Sequence, residues 1–280
     1  MQPDIITTTD GTEVPLLHYA ARAPQRALLL LPALGIQAKL YHKLALALSN
    51  LGTCVVLMEQ RGHGHSPYRA SYQQRWGMDD LLNVDVPAAF SVLQSRYPGL
   101  PCYVGGHSLG GHLATLYAGQ ASTQIKGVFH IATGFPYRKV FDGGQARMLG
   151  VLAALIPLFS WVPGFFPGNL IGFGGRESSR LMRHWRHWAL TGKFDIAGNN
   201  GPAEAVANFT GPVISLVIDK DDYVTDAAIQ HALSPFARNE ISRKHLGSAE
   251  QGEYLGHFNW AKQPDGVVAA LGAWWRDIEP

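Results

Sequence analysis

Short, nearly unbroken apolar runs alternate along the chain with segments of helical character. Residues 27–31 and 54–58 are two such runs, and this pattern is typical of strands that helices cover on both faces. A helical stretch, residues 41–50, lies between them. The alternation continues with a predicted helix at residues 79–96, a strand at 102–105, a helix at 110–119 and a strand at 127–132. It indicates an α/β fold with a mostly parallel central sheet and helices on both faces.

Both ends of the chain extend this predicted sheet. Residues 5–9 and 12–19 are β-prone and flank the turn dipeptide Asp10-Gly11, which predicts an N-terminal hairpin. The alternation resumes near the C-terminus. The predicted elements there are a strand at residues 213–218, a helix at 226–233, a short strand at 241–246 and a helix at 264–278 with a proline in its first turn.

The middle of the chain, residues 134–209, interrupts the alternation. This segment is rich in Gly, Pro, Trp and Phe, contains one amphipathic helical pattern at residues 177–190, and offers no segment that fits a sheet unit. The sequence therefore predicts a core built from residues 1–133 and 210–280, with residues 134–209 inserted into it.

Part of this insertion is long and uncharged, since no charged residue occurs between Met148 and Gly175. A window of that length raises the question of a transmembrane helix. Pro157, Pro163 and Pro167 would interrupt the helical hydrogen bonding that lipid requires. The prediction is therefore that the chain does not span a membrane.

Composition excludes two broad classes of protein. Hydrophobic residues make up 46% of the chain and charged residues 16%, which is enough apolar surface to exclude wholesale disorder. The formal net charge is +2 and no basic run occurs, so nucleic acid is not expected as a partner.

Cysteine usage and the first residues bear on the compartment. Cys54 and Cys102 are the only cysteines, and each lies in an apolar, strand-like segment, which predicts buried free thiols rather than a disulfide framework or a thiolate metal site. Residues 1–14 lack the basic-then-apolar order of a secretory signal. We therefore expect a cytoplasmic protein.

A serine follows one predicted strand in a glycine-rich turn, Gly106-His107-Ser108-Leu109-Gly110. A tight turn from strand to helix needs glycines on either side and leaves the Ser108 hydroxyl exposed above the sheet edge. The helix that follows would offer an amide and a positive dipole end to an oxyanion. An ordinary helix N-cap remains an alternative explanation of Ser108.

A serine nucleophile also needs a base and a carboxylate that orients the base. Three aspartates, Asp219, Asp221 and Asp222, lie on the loop after the strand at 213–218, and His257 follows the last strand. Loops at the carboxyl ends of parallel strands meet at one edge of a sheet. The chain order Ser, Asp, His is the order of this elbow type of site.

On these motifs the chain resembles the α/β-hydrolase superfamily over nearly its whole length. The nucleophile elbow is Gly-His-Ser-Leu-Gly-Gly at residues 106–111, and Arg-Gly-His-Gly-His-Ser at 61–66 follows the fourth strand. Asp221-x-x-Val224 matches the acid segment, and residues 256–258 match the histidine turn. The chain is most similar to a bacterial branch of predicted hydrolases with no assigned substrate.

The resemblance implies roles for individual residues. Ser108 would be the nucleophile, His257 the base, Asp221 the acid, and the amides of Leu34 and Leu109 the oxyanion hole, with no cofactor and no metal. Many members have His-Gly after the third strand, whereas this chain has Pro-Ala-Leu-Gly, which weakens the assignment of Leu34. Asp222 and Asp219 remain alternatives for the acid.

The insertion lies where the superfamily carries its cap or lid. Its apolar residues between positions 149 and 173 predict an apolar substrate pocket, although they would equally suit packing onto the core or weak contact with a lipid surface. Candidates for the pocket lining are His107, Trp185 and Trp188.

Other histidines are expected to have structural roles. His63 and His65 have the spacing of a metal pair, but no further ligands lie nearby in the sequence. His112 is expected to pack around the elbow, and His184 and His187 to belong to an amphipathic helix face.

These residues together predict a serine hydrolase that cleaves an ester of a small, apolar substrate through an acyl-enzyme. The same three residues would also serve thioesterase, amidase, acyltransferase, peroxidase or carbon–carbon hydrolase chemistry. A non-catalytic scaffold that binds a small molecule is the remaining alternative.

Overall fold

Eight strands form one central sheet in the computed structural model of the chain, which describes residues 2–161, 163–196 and 198–279. Two further short strands pair with each other outside this sheet. In chain order the strands are β1 Asp4–Thr7, β2 Glu13–Tyr19, β3 Arg26–Leu31, β4 Thr53–Met58, β5 Cys102–His107, β6 Gly127–Ile131, β7 Phe165–Pro167, β8 Arg176–Ser178, β9 Val213–Ile218 and β10 Ile241–Leu246.

The central sheet has the order β1-β2-β4-β3-β5-β6-β9-β10. The N-terminal hairpin joins it through β2, which runs antiparallel to β4, and every other neighbouring pair from β4 to β10 is parallel. The predicted mostly parallel sheet and N-terminal hairpin are therefore confirmed. Because β5, β6, β9 and β10 are parallel neighbours, their carboxyl ends lie at the same edge of the sheet.

Helices cover both faces of the sheet. Strands β3 and β4 are buried along their whole length, as their unbroken apolar runs predict. On β3, Leu28 and Leu30 pack in a cluster with the helices His42–Asn50 and Asp265–Ile278, whereas Leu29 and Leu31 pack in a cluster with the helices Val86–Arg96 and Leu109–Gln120. The helices are α1 His42–Asn50, α2 Met78–Asp80, α3 Val86–Arg96, α4 Leu109–Gln120, α5 Gly143–Trp161, α6 Ser179–Thr191, α7 Gly201–Ala205, α8 Asp226–Leu233, α9 Ser248–Gln251 and α10 Asp265–Ile278.

The helix predicted at residues 79–96 is divided by a π-helical turn, Leu81–Asp85, between α2 and α3. Pro87 has no N–H to donate to the carbonyl four residues before it, and its ring crowds that carbonyl. A single π turn is a common way for a helix to absorb such a defect. Asp85, at the end of the turn, is buried and accepts a hydrogen bond of 3.1 Å from Arg61 Nε.

The inserted segment, residues 134–209, contains a long helix that the sequence analysis did not predict. Helix α5 continues through Pro157, so the expectation that this proline interrupts the helix is wrong. The proline leaves the carbonyl of Ala153 without its usual helical donor, and Arg186 Nε from α6 donates to that carbonyl at 2.8 Å instead. A side chain from the neighbouring helix therefore replaces the missing backbone hydrogen bond.

The inserted segment also contains a small sheet, because β7 pairs antiparallel with β8 and aligns Phe165 with Ser178. The expectation that no sheet unit lies there is wrong. Strands of three residues are too short for an alternating pattern to be visible in the sequence. The predicted amphipathic helix is present as α6, which begins two residues later than expected.

By length and composition, α5 is long and apolar enough to cross a membrane, and core helices of soluble proteins meet the same criterion. Its outer side is exposed at Met148, Val151, Leu158 and Trp161. The absence of a membrane span stays a prediction.

Buried histidines make the stability of this fold dependent on pH. Burial lowers the pKa of His130 to about 3 and that of His112 to about 4. His130 has to stay neutral in the native state, where its Nε2 lies 2.8 Å from Thr115 Oγ1. These histidines take up protons in the unfolded chain but not in the folded one as the pH falls below 6.5. Burial raises the pKa of Asp85 to about 6, which acts in the opposite direction.

We therefore expect the free energy of unfolding to fall as the pH is lowered from 6.5 towards 4, with the histidines outweighing Asp85. His130→Gln should reduce the pH slope by about one proton, which is about 1.4 kcal/mol per pH unit. Urea unfolding at stepped pH measures this slope. His245→Gln, at an exposed position of β10, is the matched control and should leave the slope unchanged. An identical slope in wild type and His130→Gln would contradict the expectation.

Candidate active site

Ser108 lies at a strained turn between β5 and α4. Its backbone has φ 52° and ψ −115°, a left-handed conformation that few non-glycine residues adopt. Its side chain makes no capping hydrogen bond to the helix that follows. The N-cap alternative is therefore wrong, because capping would require the hydroxyl to accept an amide N–H.

The glycines on either side of Ser108 are required by close backbone contacts. A Cβ on Gly106 would lie 2.4 Å from the carbonyl carbon of Gly110, and a Cβ on Gly110 would lie 2.2 Å from the carbonyl oxygen of Leu31. No side chain fits at either position without backbone movement. The glycine pattern in the sequence thus reflects tight packing of the helix start against β3 and β5.

Asp221 and His257 meet at the carboxyl edge of the sheet. His257 Nδ1 donates to Asp221 Oδ2 at 2.8 Å, and both side chains are about 5% exposed. The other carboxylate oxygen of Asp221 accepts the N–H of Tyr223 at 2.8 Å. Because Nδ1 carries the proton, Nε2 of His257 is left as the acceptor nitrogen. This arrangement suits a general base.

The two other candidate aspartates do not contact His257. Asp219 and Asp222 are both exposed. The backbone carbonyl of Asp222 accepts a hydrogen bond from Gln145 Nε2 at 3.0 Å. Of the three carboxylates on this loop, Asp221 alone is hydrogen-bonded to the histidine among the described residues.

Two backbone amides near Ser108 are available to an oxyanion. Neither Leu34 N–H nor Leu109 N–H donates a hydrogen bond within residues 2–161, 163–196 and 198–279. The amides on either side of Leu34 are fixed, since Ala33 N–H donates to Tyr41 Oη at 3.0 Å and Gly35 N–H to Gln60 Oε1 at 3.2 Å. The Pro-Ala-Leu-Gly turn departs from the superfamily pattern. It nevertheless holds the Leu34 amide in place, because the residues on either side of Leu34 are hydrogen-bonded.

Ser108 and His257 line the same small pocket, of about 100 Å³. Trp185 lines it as predicted, and its ring packs against Phe173 at 4.9 Å. The pocket walls are apolar apart from the site residues, His112 and Tyr223. The lining consists of Ala33, Leu34, Ser108, Leu109, His112, Gly134, Pro136, Phe141, Leu149, Gly172, Phe173, Gly174, Trp185, Tyr223, Val224, His257 and Phe258.

The expectation that His107 and Trp188 line this pocket is wrong, because both side chains are 0% exposed. The backbone alternation of β5 turns His107 to the opposite side of the strand from Ser108. Trp188 donates from Nε1 to the carbonyl of Asp195 at 2.8 Å and packs against Phe135.

The chain matches a known family and known folds. A family model described as "Serine aminopeptidase, S33" matches residues 22–185, which is more than half of the chain. The chain belongs to this family. It has the α/β-hydrolase fold and is a hydrolase of that superfamily. No curated protein matches the sequence.

Several solved α/β-hydrolases share the whole fold at low identity. A thermostable carboxyl esterase from Bacillus coagulans is similar with a TM-score of 0.70 at 16% identity, covering 99% of this chain and 98% of the esterase. A soluble variant of monoglyceride lipase from Saccharomyces cerevisiae has a TM-score of 0.67 at 16% identity, covering 99% and 95%. The thioesterase domain of the curacin biosynthetic pathway has a TM-score of 0.59 at 16% identity, covering 99% of each chain. At this identity the likeness shows the fold alone.

In this S33 hydrolase, His107 belongs to a buried network that the sequence did not reveal. The Tyr41 hydroxyl accepts the Ala33 N–H, so its own proton is free to be donated to His107 Nδ1, 2.8 Å away. Burial lowers the pKa of His107 well below its ordinary value and keeps the ring neutral. The ring of His107 lies 4.7 Å from that of His257. Tyr41 thus connects the turn at residues 32–35 to the last residue of β5, directly before Ser108.

His257 is held from several sides by residues outside the predicted set. Trp260 Nε1 donates to the His257 carbonyl at 2.9 Å, and the Tyr223 ring lies 4.9 Å from the imidazole. Tyr223 follows the aspartates closely in the sequence, which was a usable signal for its position. Tyr41 carries no such signal, because its contact with the site depends on the packing of the turn before α1.

The Arg-Gly-His-Gly-His-Ser loop contacts the inserted segment. His63 Nε2 lies 3.2 Å from Glu177 Oε2, and both side chains are buried. Gly175 N–H donates to the other oxygen of Glu177 at 2.7 Å. His65 instead donates its backbone N–H to Glu59. The described residues contain no group of three or more His, Cys, Asp or Glu side chains that would hold a metal ion.

Tyr41→Phe tests whether this network positions the turn at residues 32–35 and its Leu34 amide. The variant leaves the buried Ala33 N–H without its acceptor, so we expect the Leu34 amide to shift and kcat for an ester to fall about tenfold with KM little changed. Tyr103→Phe is the matched control, because it removes a similar hydrogen bond, to Glu279, from the far end of β5. An equal loss of kcat in both variants would indicate a general loss of stability instead.

Proposed function

We propose that this protein is a serine hydrolase that cleaves the ester bond of a small, apolar substrate through an acyl-enzyme. Ser108 is the nucleophile, His257 the general base and Asp221 the residue that orients the base. The observation that carries the proposal is the hydrogen bond of 2.8 Å between Asp221 and His257, a residue that lines the same pocket as Ser108.

The steps of the reaction follow from which of these groups can donate a proton and which can accept one. His257 Nε2 accepts the Ser108 hydroxyl proton as Oγ attacks the substrate carbonyl carbon. The Leu34 and Leu109 amides donate to the oxyanion that forms, and neither has to give up another hydrogen bond to do so. His257 then protonates the departing alcohol, and water, activated by the same histidine, hydrolyses the acyl-enzyme. Asp221 stabilises the imidazolium at each stage.

The character of the pocket favours an ester over a peptide. An aminopeptidase has to bind the α-ammonium group of its substrate, and a buried ammonium needs a carboxylate partner. No charged side chain lines the pocket around Ser108 in the part of the chain that the structure describes. The name of the family model therefore does not transfer to the substrate, whereas an uncharged ester suits an apolar lining.

The inserted segment acts in this proposal as a cap over the core formed by residues 1–133 and 210–280. It approaches the turn at residues 32–35 closely, since a Cβ on Gly35 would lie 2.3 Å from the Gly175 nitrogen. The buried contact between His63 and Glu177 joins the cap to the core nearby. These contacts fix the cap residues that face Ser108.

The assignment of the acid is tested by paired substitutions. Asp221→Asn should lower kcat for an ester by about 10³-fold or more, because an amide at this position favours the wrong tautomer of His257. Asp222→Asn should cost less than about tenfold, since its side chain is exposed. Circular dichroism and thermal unfolding check that both variants fold. A larger loss in Asp222→Asn than in Asp221→Asn would overturn the assignment.

The choice of reaction is tested with matched ester, thioester and amide substrates that share one acyl group. Turnover of the ester, lost in Ser108→Ala, is the expected result. A clear preference for the amide would contradict the ester proposal, and a preference for the thioester would favour thioesterase chemistry at the same residues. Binding without turnover of any of them would favour a non-catalytic scaffold.

A further inference from the structure

A second, larger cavity adjoins the pocket at Ser108. It has a volume of about 430 Å³, against about 100 Å³ for the pocket itself, and lies between α5 and the loop around Ile171. We call it the α5 groove. The residues that line both spaces are Phe141, Leu149, Gly172, Phe173 and Tyr223. Because the two spaces share these walls, the groove begins next to the pocket that Ser108 lines.

The α5 groove suits a hydrocarbon chain. Beyond the shared residues it is lined by Met148, Leu152 and Ile171, with Gln145 and Asp222 as its polar members. Met148 and Ile171 are 61% and 49% exposed, so the groove is open at its outer end. Apolar walls offer a long chain burial without hydrogen bonds. An open end accepts chains of different length.

A third cavity, on the His257 side of the site, has the opposite character. It has a volume of about 450 Å³ and includes Lys220, Asp222, Glu253 and Asn259 in its lining. We call it the polar opening.

The position of His257 gives the two spaces different roles. His257 lines the polar opening and not the α5 groove, and it is the group that protonates the departing alcohol. The alcohol therefore has to lie on the His257 side. Asp222 and Tyr223 line both spaces. An ester bound with its acyl chain along α5 would bury its apolar part and leave the alcohol among polar groups.

We infer that the α5 groove binds the acyl chain of the substrate, and that the enzyme acts on esters of straight chains of octanoyl length or longer, with the alcohol directed to the polar opening. This inference rests on the proposed function and names its substrate class. It assigns the inserted segment the role of selecting acyl chain length.

The first test is a chain-length series of p-nitrophenyl esters, from acetyl through butyryl and octanoyl to lauroyl. Each ester is kept below its aggregation concentration, so that the exposed face of α5 meets monomers only. We expect kcat/KM to rise by about two- to fourfold per added methylene as the groove fills. Octyl acetate, which places the long chain on the alcohol, should gain far less over ethyl acetate. A preference for acetyl esters, or an equal gain from a long alcohol, would overturn the inference.

The second test blocks the groove. Leu152 lines it and does not line the pocket at Ser108, so Leu152→Trp should lower the ratio of lauroyl to acetyl kcat/KM by at least tenfold. Leu158→Trp is the matched control, because Leu158 lies on the same helix, is 59% exposed and does not line the groove. Its ratio should equal that of the wild type. Leu152→Phe replaces Leu152→Trp if thermal unfolding shows that the larger residue prevents folding.

The outcomes separate a failure of the acyl-chain groove from a failure of the proposed serine hydrolase function. An unchanged ratio in the folded Leu152 variant, with the wild type still hydrolysing acetyl esters, overturns the acyl-chain role of the groove and leaves the serine hydrolase proposal standing. No hydrolysis of any ester by the wild type overturns the proposed function itself.

Discussion

The hydrogen bond between His257 Nδ1 and Asp221 Oδ2 is the interaction on which the candidate site depends, because it joins two loops that leave neighbouring strands. Strands β9 and β10 are parallel and in register at their ends, where Ile218 pairs with Leu246. The two loops therefore begin side by side at the edge of the sheet where β5 delivers Ser108. Sheet pairing thus fixes where the two loops begin, and the hydrogen bond between Asp221 and His257 joins them again above the sheet edge.

Strained backbone conformations also lie at this carboxyl edge of the sheet. Among the described residues, the non-glycine residues with positive φ are Ser108, Ala132 and Lys220, and they follow β5, β6 and β9. Each such residue costs about 1–3 kcal/mol and persists only when its surroundings hold it. The strands before them are almost entirely buried, which supplies that support. The sheet core thereby stabilises a turn in which the Ser108 side chain makes no capping hydrogen bond and the Leu109 N–H donates to no described residue.

The core could be predicted, and Ser108 and His257 could be named as candidate site residues, because their signals in the sequence are local. Buried parallel strands appear as apolar runs, and the elbow appears as glycines where backbone contacts of 2.2–2.4 Å forbid a Cβ. The choice of Asp221 over Asp222 rested on the resemblance, and only the structure shows which carboxylate reaches His257.

The inserted segment and the buried network were not predictable in the same way. Helix α5 is apolar on nearly every side, so it has no helical period, and Pro157 was expected to break it. The helix tolerates this proline because Arg186, from the later helix α6, donates to the carbonyl of Ala153 that the proline leaves unpaired. The contact between Tyr41 and His107 is likewise long-range, over 66 positions, and no local pattern announces it.

The central claim is that Ser108 is an activated nucleophile. It is tested most directly by reacting the protein with a fluorophosphonate probe and mapping the modified peptide by mass spectrometry. The account predicts one adduct on Ser108, absent in Ser108→Ala and formed much more slowly in His257→Gln. An adduct on another serine, or no adduct although competition with an ester analogue shows that the probe enters the pocket, would contradict it.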